Sequence, residues 1–223
     1  MENLNYRIKE ALNEKSKYTY DNDVLINKLD IKDQKELDKV EASLTFLRLS
    51  NLAMNEQRFS FDYMYYLNLH KYIFQDLYEF AGDIRDENIV KGNTPFCTPQ
   101  NILSNLKYIL EEMKRKALNI KSREDYIEFL SYYYGELNMV HPFREGNGRT
   151  LREYLRQLVE CLNKYLKLPS YELNYSNISK ELRECLIKGS EQSAVTGDTT
   201  LLKEFFSSVL QEKTKEVKND KKI

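Results

Sequence analysis

At 223 residues, of which 41% are hydrophobic, the chain is long enough to bury one good core and fits one domain better than two. Thirty-four Lys and Arg against 35 Asp and Glu leave a formal charge of -1, so no global field draws the protein to nucleic acid or to an anionic membrane. Three widely spaced cysteines, Cys97, Cys161 and Cys185, argue against a disulfide framework and against a zinc site; with no signal-like or membrane-length apolar run, the expectation is a soluble, cytoplasmic protein.

Helical periodicity dominates from the N-terminus onward. Residues 1–34 read as an N-terminal helical extension, 35–210 as the main domain and 211–223 as a lysine-rich tail that frays into solvent. Over 34–54, Leu37, Val40, Leu44 and Leu47 recur at three- and four-residue steps, with Met54 returning to the same face, the mark of one buried helical stripe. The span 61–80 repeats it through Leu69, Ile73, Phe74 and Leu77 and stops at Ala81-Gly82. Residues 84–99, "IRDENIVKGNTPFCTP", break the period around Gly92-Asn93 and predict a small β-hairpin, the one strand-like piece of the chain. Helical spacing returns over 102–118, over 123–140 through Tyr126, Phe129, Leu130, Tyr133 and Leu137, and over 150–166 through Leu151, Leu155, Leu158 and Leu162. Two further helices are expected over 176–193 and 199–217, which makes the fold class all-α with a hairpin.

Between two of these helices lies "MVHPFREGNGRTLREYL", residues 139–155. Gly146, Asn147 and Gly148 can take left-handed angles that turn successive N–H groups inward, and the helix that begins at Arg149 adds the positive end of its dipole, so a phosphate fits there. Arg149, Arg152 and Arg156 share one helical face opposite the leucines, and two of them can reach further phosphates. Glu145 is an oxygen ligand suited to Mg²⁺ on those phosphates, and His141 has the side chain to take a proton from an attacking hydroxyl near neutral pH. Taken singly, each has a plainer explanation: a helix-end histidine caps, Gly-x-Gly turns, arginines at this spacing solvate, and Glu145 pairs with Arg149. Their coincidence within twelve residues favours a site for phosphoryl or nucleotidyl transfer. Pro142 and Phe143 would fix and anchor the loop.

The string from His141 to Arg152, His-Pro-Phe-Arg-Glu-Gly-Asn-Gly-Arg-Thr-Leu-Arg, resembles the signature of the Fic (filamentation induced by cAMP) domain at every position. "LHKYIFQDLYEFAGDIR" (69–85) is similar to the segment before that family's flap, and "IVKGNTPFCTP" (89–99) to the flap, so the resemblance runs from about Lys35 to Leu210. It implies a helical bundle with a hairpin flap, and a reaction that passes AMP from ATP to a Tyr, Ser or Thr hydroxyl of a protein. By that resemblance His141 is the base, Glu145 holds Mg²⁺, and Gly146, Asn147, Gly148, Arg149 and Arg152 hold the phosphates. Lys91, Gly92, Asn93, Thr94 and Phe96 would bind the target segment in extended form. Relatives transferring phosphate or phosphocholine exist, and Glu145 and Gly148 match the adenylylating pattern.

Many relatives also carry an inhibitory Ser/Thr-x-x-x-Glu-Gly/Asn motif. Here only Thr200 to Glu204 and Ser208 to Glu212 have the spacing, and both lack the final residue; Ser208 and Glu212 are the better pair. The segment 21–52 has no match to that motif and instead resembles toxins silenced by a separate small antitoxin, whose relatives act on type II topoisomerase subunits. Three other readings stay open: transfer of a different phosphate-containing group, a catalytically silent nucleotide- or protein-binding module, and removal of AMP from a target.

Overall fold

Seven helices and two small antiparallel strand pairs account for the regular structure of the described residues, 16–91, 94–176 and 178–213 of a computed structural model. Helix α1 spans Gln34–Met54 and α2 spans Tyr63–Phe74. Each begins where an aspartate accepts an otherwise unpaired amide, Asp33 from Glu36 at 2.9 Å and Asp62 from Met64 at 2.6 Å. Strands β1 (Val90–Lys91) and β2 (Thr94–Pro95) then pair as the expected hairpin, Val90 opposite Pro95 and Lys91 opposite Thr94. Gly92 and Asn93, the expected turn, lie outside the described residues. Helix α3 (Pro99–Ala117) opens on a proline, whose missing N–H costs nothing in a first turn, and α4 (Arg123–Val140) opens on a reciprocal Ser122–Asp125 cap. Helix α5 is Asn147–Leu162, α6 is Lys180–Thr196 and α7 is Thr200–Val209.

Helix α4 is the axis of the bundle, packed by α3, α5, α6 and α7. Its Tyr126, Phe129, Leu130, Tyr133 and Leu137 are buried as their spacing requires, and so are Ile127, Tyr134 and Val140, which makes it apolar nearly all round. Leu151, Leu155, Leu158 and Leu162 of α5 are buried too, so the helix after the motif is driven onto the core by the stripe seen in the sequence. Among the described residues no helix is long and apolar enough to cross a membrane.

The structure corrects four expectations. In α1, Leu37 is buried but Leu47 is 64% and Met54 77% exposed; Thr45 and Leu52 face inward. A count of apolar side chains missed this stripe because Thr45 satisfies its hydroxyl within the helix, on the Glu41 carbonyl at 2.7 Å, and so can be buried. Residues 16–33 are turns with one bridge, Thr19 to Leu25, in place of helix. There Asn27 accepts the amides of Leu29 and Ile31, an arrangement that competes with helical hydrogen bonding. The last helix stops at Val209, and the chain continues as β4 (Leu210–Glu212). This strand pairs with β3 (Tyr171–Leu173), a second sheet that the sequence did not announce. Residues 1–15 and the tail from 214 lie outside the described residues.

Candidate active site

A cavity of about 430 Å³ opens where the β1–β2 hairpin, the C-terminus of α4 and the N-terminus of α5 converge, with residues of α6 forming its far wall. His141, Glu145, Gly146, Asn147, Gly148, Arg149 and Arg152 all line it, as do Lys91, Thr94 and Phe96 of the hairpin. Ser208 and Glu212 do not: Ser208 is exposed near the end of α7, and Glu212 is held in β4 opposite Tyr171.

His141 caps α4 in the left-handed region, φ 42° and ψ 61°, a backbone state uncommon outside glycine that turns the chain sharply into the motif loop. Its Nδ1 lies 3.1 Å from the Asn138 carbonyl, which assigns the proton to Nδ1 and leaves the Nε2 lone pair free. Phe96 stacks on the ring at 3.7 Å and 11°. The flap phenylalanine therefore braces the histidine. Burial, with Arg85 and Lys91 nearby, pulls the imidazole down to about 4, so it is neutral at physiological pH.

The loop after His141 is fixed from inside. The side chain of Asn147 accepts the Phe143 amide at 2.9 Å and donates to the Phe143 carbonyl at 2.7 Å, so both of its polar atoms are spent on the loop. Of the three residues expected to be left-handed only Gly146 is, at φ 82°; Asn147 and Gly148 already belong to α5. A Cβ on Gly146 would sit 2.3 Å from the Phe74 ring, so both backbone angle and space demand glycine. No side chain caps the first turn of α5, and its amides stay available to an anion.

The three arginines part company. Arg149 Nη2 pairs with Glu41 at 2.5 Å and with Glu145 at 3.3 Å, and its guanidinium lies over Phe74. Arg152 lines the cavity, and no carboxylate among the described residues pairs with it. Arg156 is taken up by Glu153 and Glu160, each at 2.7 Å, and lines only a neighbouring groove. Of the three, Arg149 and Arg152 line the cavity, and only Arg152 does so without a carboxylate partner among the described residues.

Three supporting residues escaped the sequence reading. His70, fully buried on α2, takes the Gly82 amide on Nδ1 at 2.8 Å and meets the Glu145 carbonyl with Nε2 at 2.9 Å while stacking on Phe143. Arg85, 1% exposed, donates to the carbonyls of His141, Glu87 and Cys97 at 2.7, 2.6 and 2.6 Å. It thereby ties both feet of the hairpin to the histidine; burial lowers its guanidinium to about 10. The rarity of histidine was a signal for His70, and Arg85 closed the quoted segment before the flap. Glu41 had none, being one acid among 35 acidic residues.

Glu145 is 44% exposed at the cavity, and among the described residues no cluster of three His, Cys, Asp or Glu side chains is gathered for a metal. That donor set fits a hard cation carried in by phosphates and seated on one carboxylate, which is how Mg²⁺ commonly binds nucleotides, and does not fit an all-protein cage.

Residues 60–159 match the model of the Fic/DOC family. Protein adenylyltransferase VbhT of Bartonella schoenbuchensis is 40% identical over 136 residues, 60% of this chain and 28% of that protein, so the chain spans little more than a quarter of that relative. Probable protein adenylyltransferase y4lH of Sinorhizobium fredii is 33% identical over 168 residues, 74% of this chain and 82% of that protein. Among solved structures, BepC of Bartonella tribocorum, with bound AMPPNP, superposes with a TM-score of 0.75 at 21% identity, over 88% of this chain and 97% of that one, a likeness of fold. With a relative one-third identical over most of its length and the signature loop folded around one cavity, the chain belongs to the Fic/DOC family.

Proposed function

We propose that the chain is a protein adenylyltransferase, moving AMP from ATP to a hydroxyl side chain of a target protein and releasing pyrophosphate. The observation that carries this is the placement of a neutral, oriented histidine beside the uncapped N-terminus of α5, with Arg149 and Arg152 on the same cavity. His141 Nε2 accepts the hydroxyl proton as the oxygen bonds to the α-phosphorus, and the bond from that phosphorus to the bridging oxygen breaks. Charge grows on the departing pyrophosphate, where Arg152, Arg149 and the first-turn amides of α5 stabilise it without having to reorganise. Mg²⁺, held by Glu145 and the phosphates, would supply further charge neutralisation. Lys91 and Thr94 offer a short strand edge on which an extended target segment aligns.

Control in trans by a small antitoxin is the regulatory reading we favour, with a type II topoisomerase subunit as the first target to assay. It is supported by Glu212 lying in β4, away from the cavity, and by an apolar groove along Phe46, Leu49, Ala53 and Ile187 that runs up to Arg152. The deciding experiment treats a lysate with the protein and ATP and reads modified peptides by mass spectrometry. An added AMP mass on a Tyr, Ser or Thr is expected, lost by about a hundredfold or more in His141→Ala. A different added mass, or full activity in the variant, refutes the assignment.

A further inference from the structure

Glu41 presents a puzzle: a carboxylate 15% exposed stands beside a cavity built to take a polyanion. It belongs to α1, outside the residues matched by the family model. We propose that Glu41 is a positioning residue that aims Arg149 at the phosphates of the nucleotide, an inference that rests on the adenylyl-transfer reading.

Arg149 needs such a partner for two reasons. It sits in the first turn of α5, where the helix dipole disfavours a cation, and Arg144 and Arg152 line the same cavity. Its side chain also lines both the cavity and the neighbouring groove, so its head has two places to go. Glu41 selects one. Its Oε1 takes Arg149 Nη2 at 2.5 Å, and its Oε2 accepts the hydroxyl of buried Tyr78, which fixes the carboxylate from behind. Phe74 supports the guanidinium face at 4.8 Å.

The alternative is that Glu41 is a brake, a carboxylate occupying the arginine in place of phosphate. The geometry opposes it, because Glu41 does not line the cavity and engages only Nη2 of a group with five N–H donors. Glu145 leans on that same nitrogen at 3.3 Å. When Glu145 turns to a cation, Glu41 remains to hold the arginine.

The test measures binding of AMPPNP and of AMP, with Mg²⁺ present, by calorimetry on the full chain. Glu41→Gln, which keeps the volume, is expected to weaken AMPPNP about tenfold while AMP binds as before. Tyr78→Phe, which leaves the carboxylate but frees it, is expected to shift AMPPNP in the same direction by less. A general loss of structure would weaken both nucleotides, so the difference between them separates positioning from folding. Adding Glu41→Gln to Arg149→Ala should cost nothing further, because the residue acts through Arg149. Unchanged AMPPNP affinity in Glu41→Gln overturns the proposal, and tighter binding establishes the brake in its place. If AMPPNP binds the wild type and Arg152→Ala alike, the nucleotide reading itself falls and this inference with it.

Discussion

Arg152 and Arg156 occupy successive turns of one helix, and their neighbours give them different work. Arg152 faces the cavity with no carboxylate partner among the described residues, whereas Arg156 neutralises Glu153, a carboxylate 5% exposed that also accepts from Gln157 at 2.7 Å. Removing Arg152 takes away a cation that meets solvent or ligand; removing Arg156 strands a buried charge. Arg152→Ala is therefore expected to weaken ATP-analogue binding by tenfold or more and to leave the unfolding midpoint nearly unchanged. Arg156→Ala should leave nucleotide affinity alone and lower stability by about 3 kcal/mol. Calorimetric titration and urea unfolding of both variants check this, and a shared loss of affinity would restore Arg156 to the site. Their difference was hidden in the sequence because spacing places both on one face, while the presence of Glu153 and Glu160 three and four residues from Arg156 decides where its charge goes.

Among the elements, the hairpin is held less by its own two-residue strands than by Arg85, whose guanidinium spans Glu87 before it, Cys97 after it and the His141 carbonyl beneath. Arg85→Met fills similar space and leaves three part-buried carbonyls without their donor, at a cost of about 2 kcal/mol. Hydrogen exchange should then quicken in the hairpin while α3 stays protected; equal protection across the hairpin would show that its strands suffice. The same elements show what the sequence made legible. Gly92-Asn93 between short alternating runs announced the hairpin, and the leucines of α5 announced its inward face, because both signals are local. The β3–β4 pair was invisible: three residues are too few for an alternation, and the partner strands are about forty residues apart and joined by two helices. For the site, the motif identified His141, Glu145, Arg149 and Arg152, since they are contiguous, and passed over Arg144, which also lines the cavity. It said nothing of Glu41, His70 and Arg85, which reach those residues only through the packing of α1, α2 and the pre-hairpin loop.

For the molecule as a whole, both histidines are pKa-shifted in the same direction, and this ties stability to pH. Burial lowers His70 to about 3 and His141 to about 4, each from an ordinary value of 6.5. Between that ordinary value and the folded one the unfolded chain binds more protons than the native one, so stability rises with pH through this window and is lost as pH falls. Each histidine contributes up to about 1.4 kcal/mol per pH unit, and going from pH 6.5 to 4.5 should remove about 4 to 5 kcal/mol, a large share of the 5–15 kcal/mol typical of a domain. Carboxylates add their loss later: Asp76, lowered by its hydrogen bonds to Arg48, gives up its contribution only as pH falls through its ordinary 3.8 and below. The two causes are thus separated in pH. Urea unfolding at pH 7, 5.5 and 4.5 should show a steadily falling free energy, over a range in which Asp76, lowered by Arg48, is still ionised. His141→Asn, which keeps a donor near the Asn138 carbonyl and cannot titrate, should remove about half of that slope. A flat profile in the wild type would mean that neither histidine is lowered in the folded state, and the assignment of His141 as a neutral base would go with it; half the expected slope that His141→Asn leaves unchanged would sink that assignment alone.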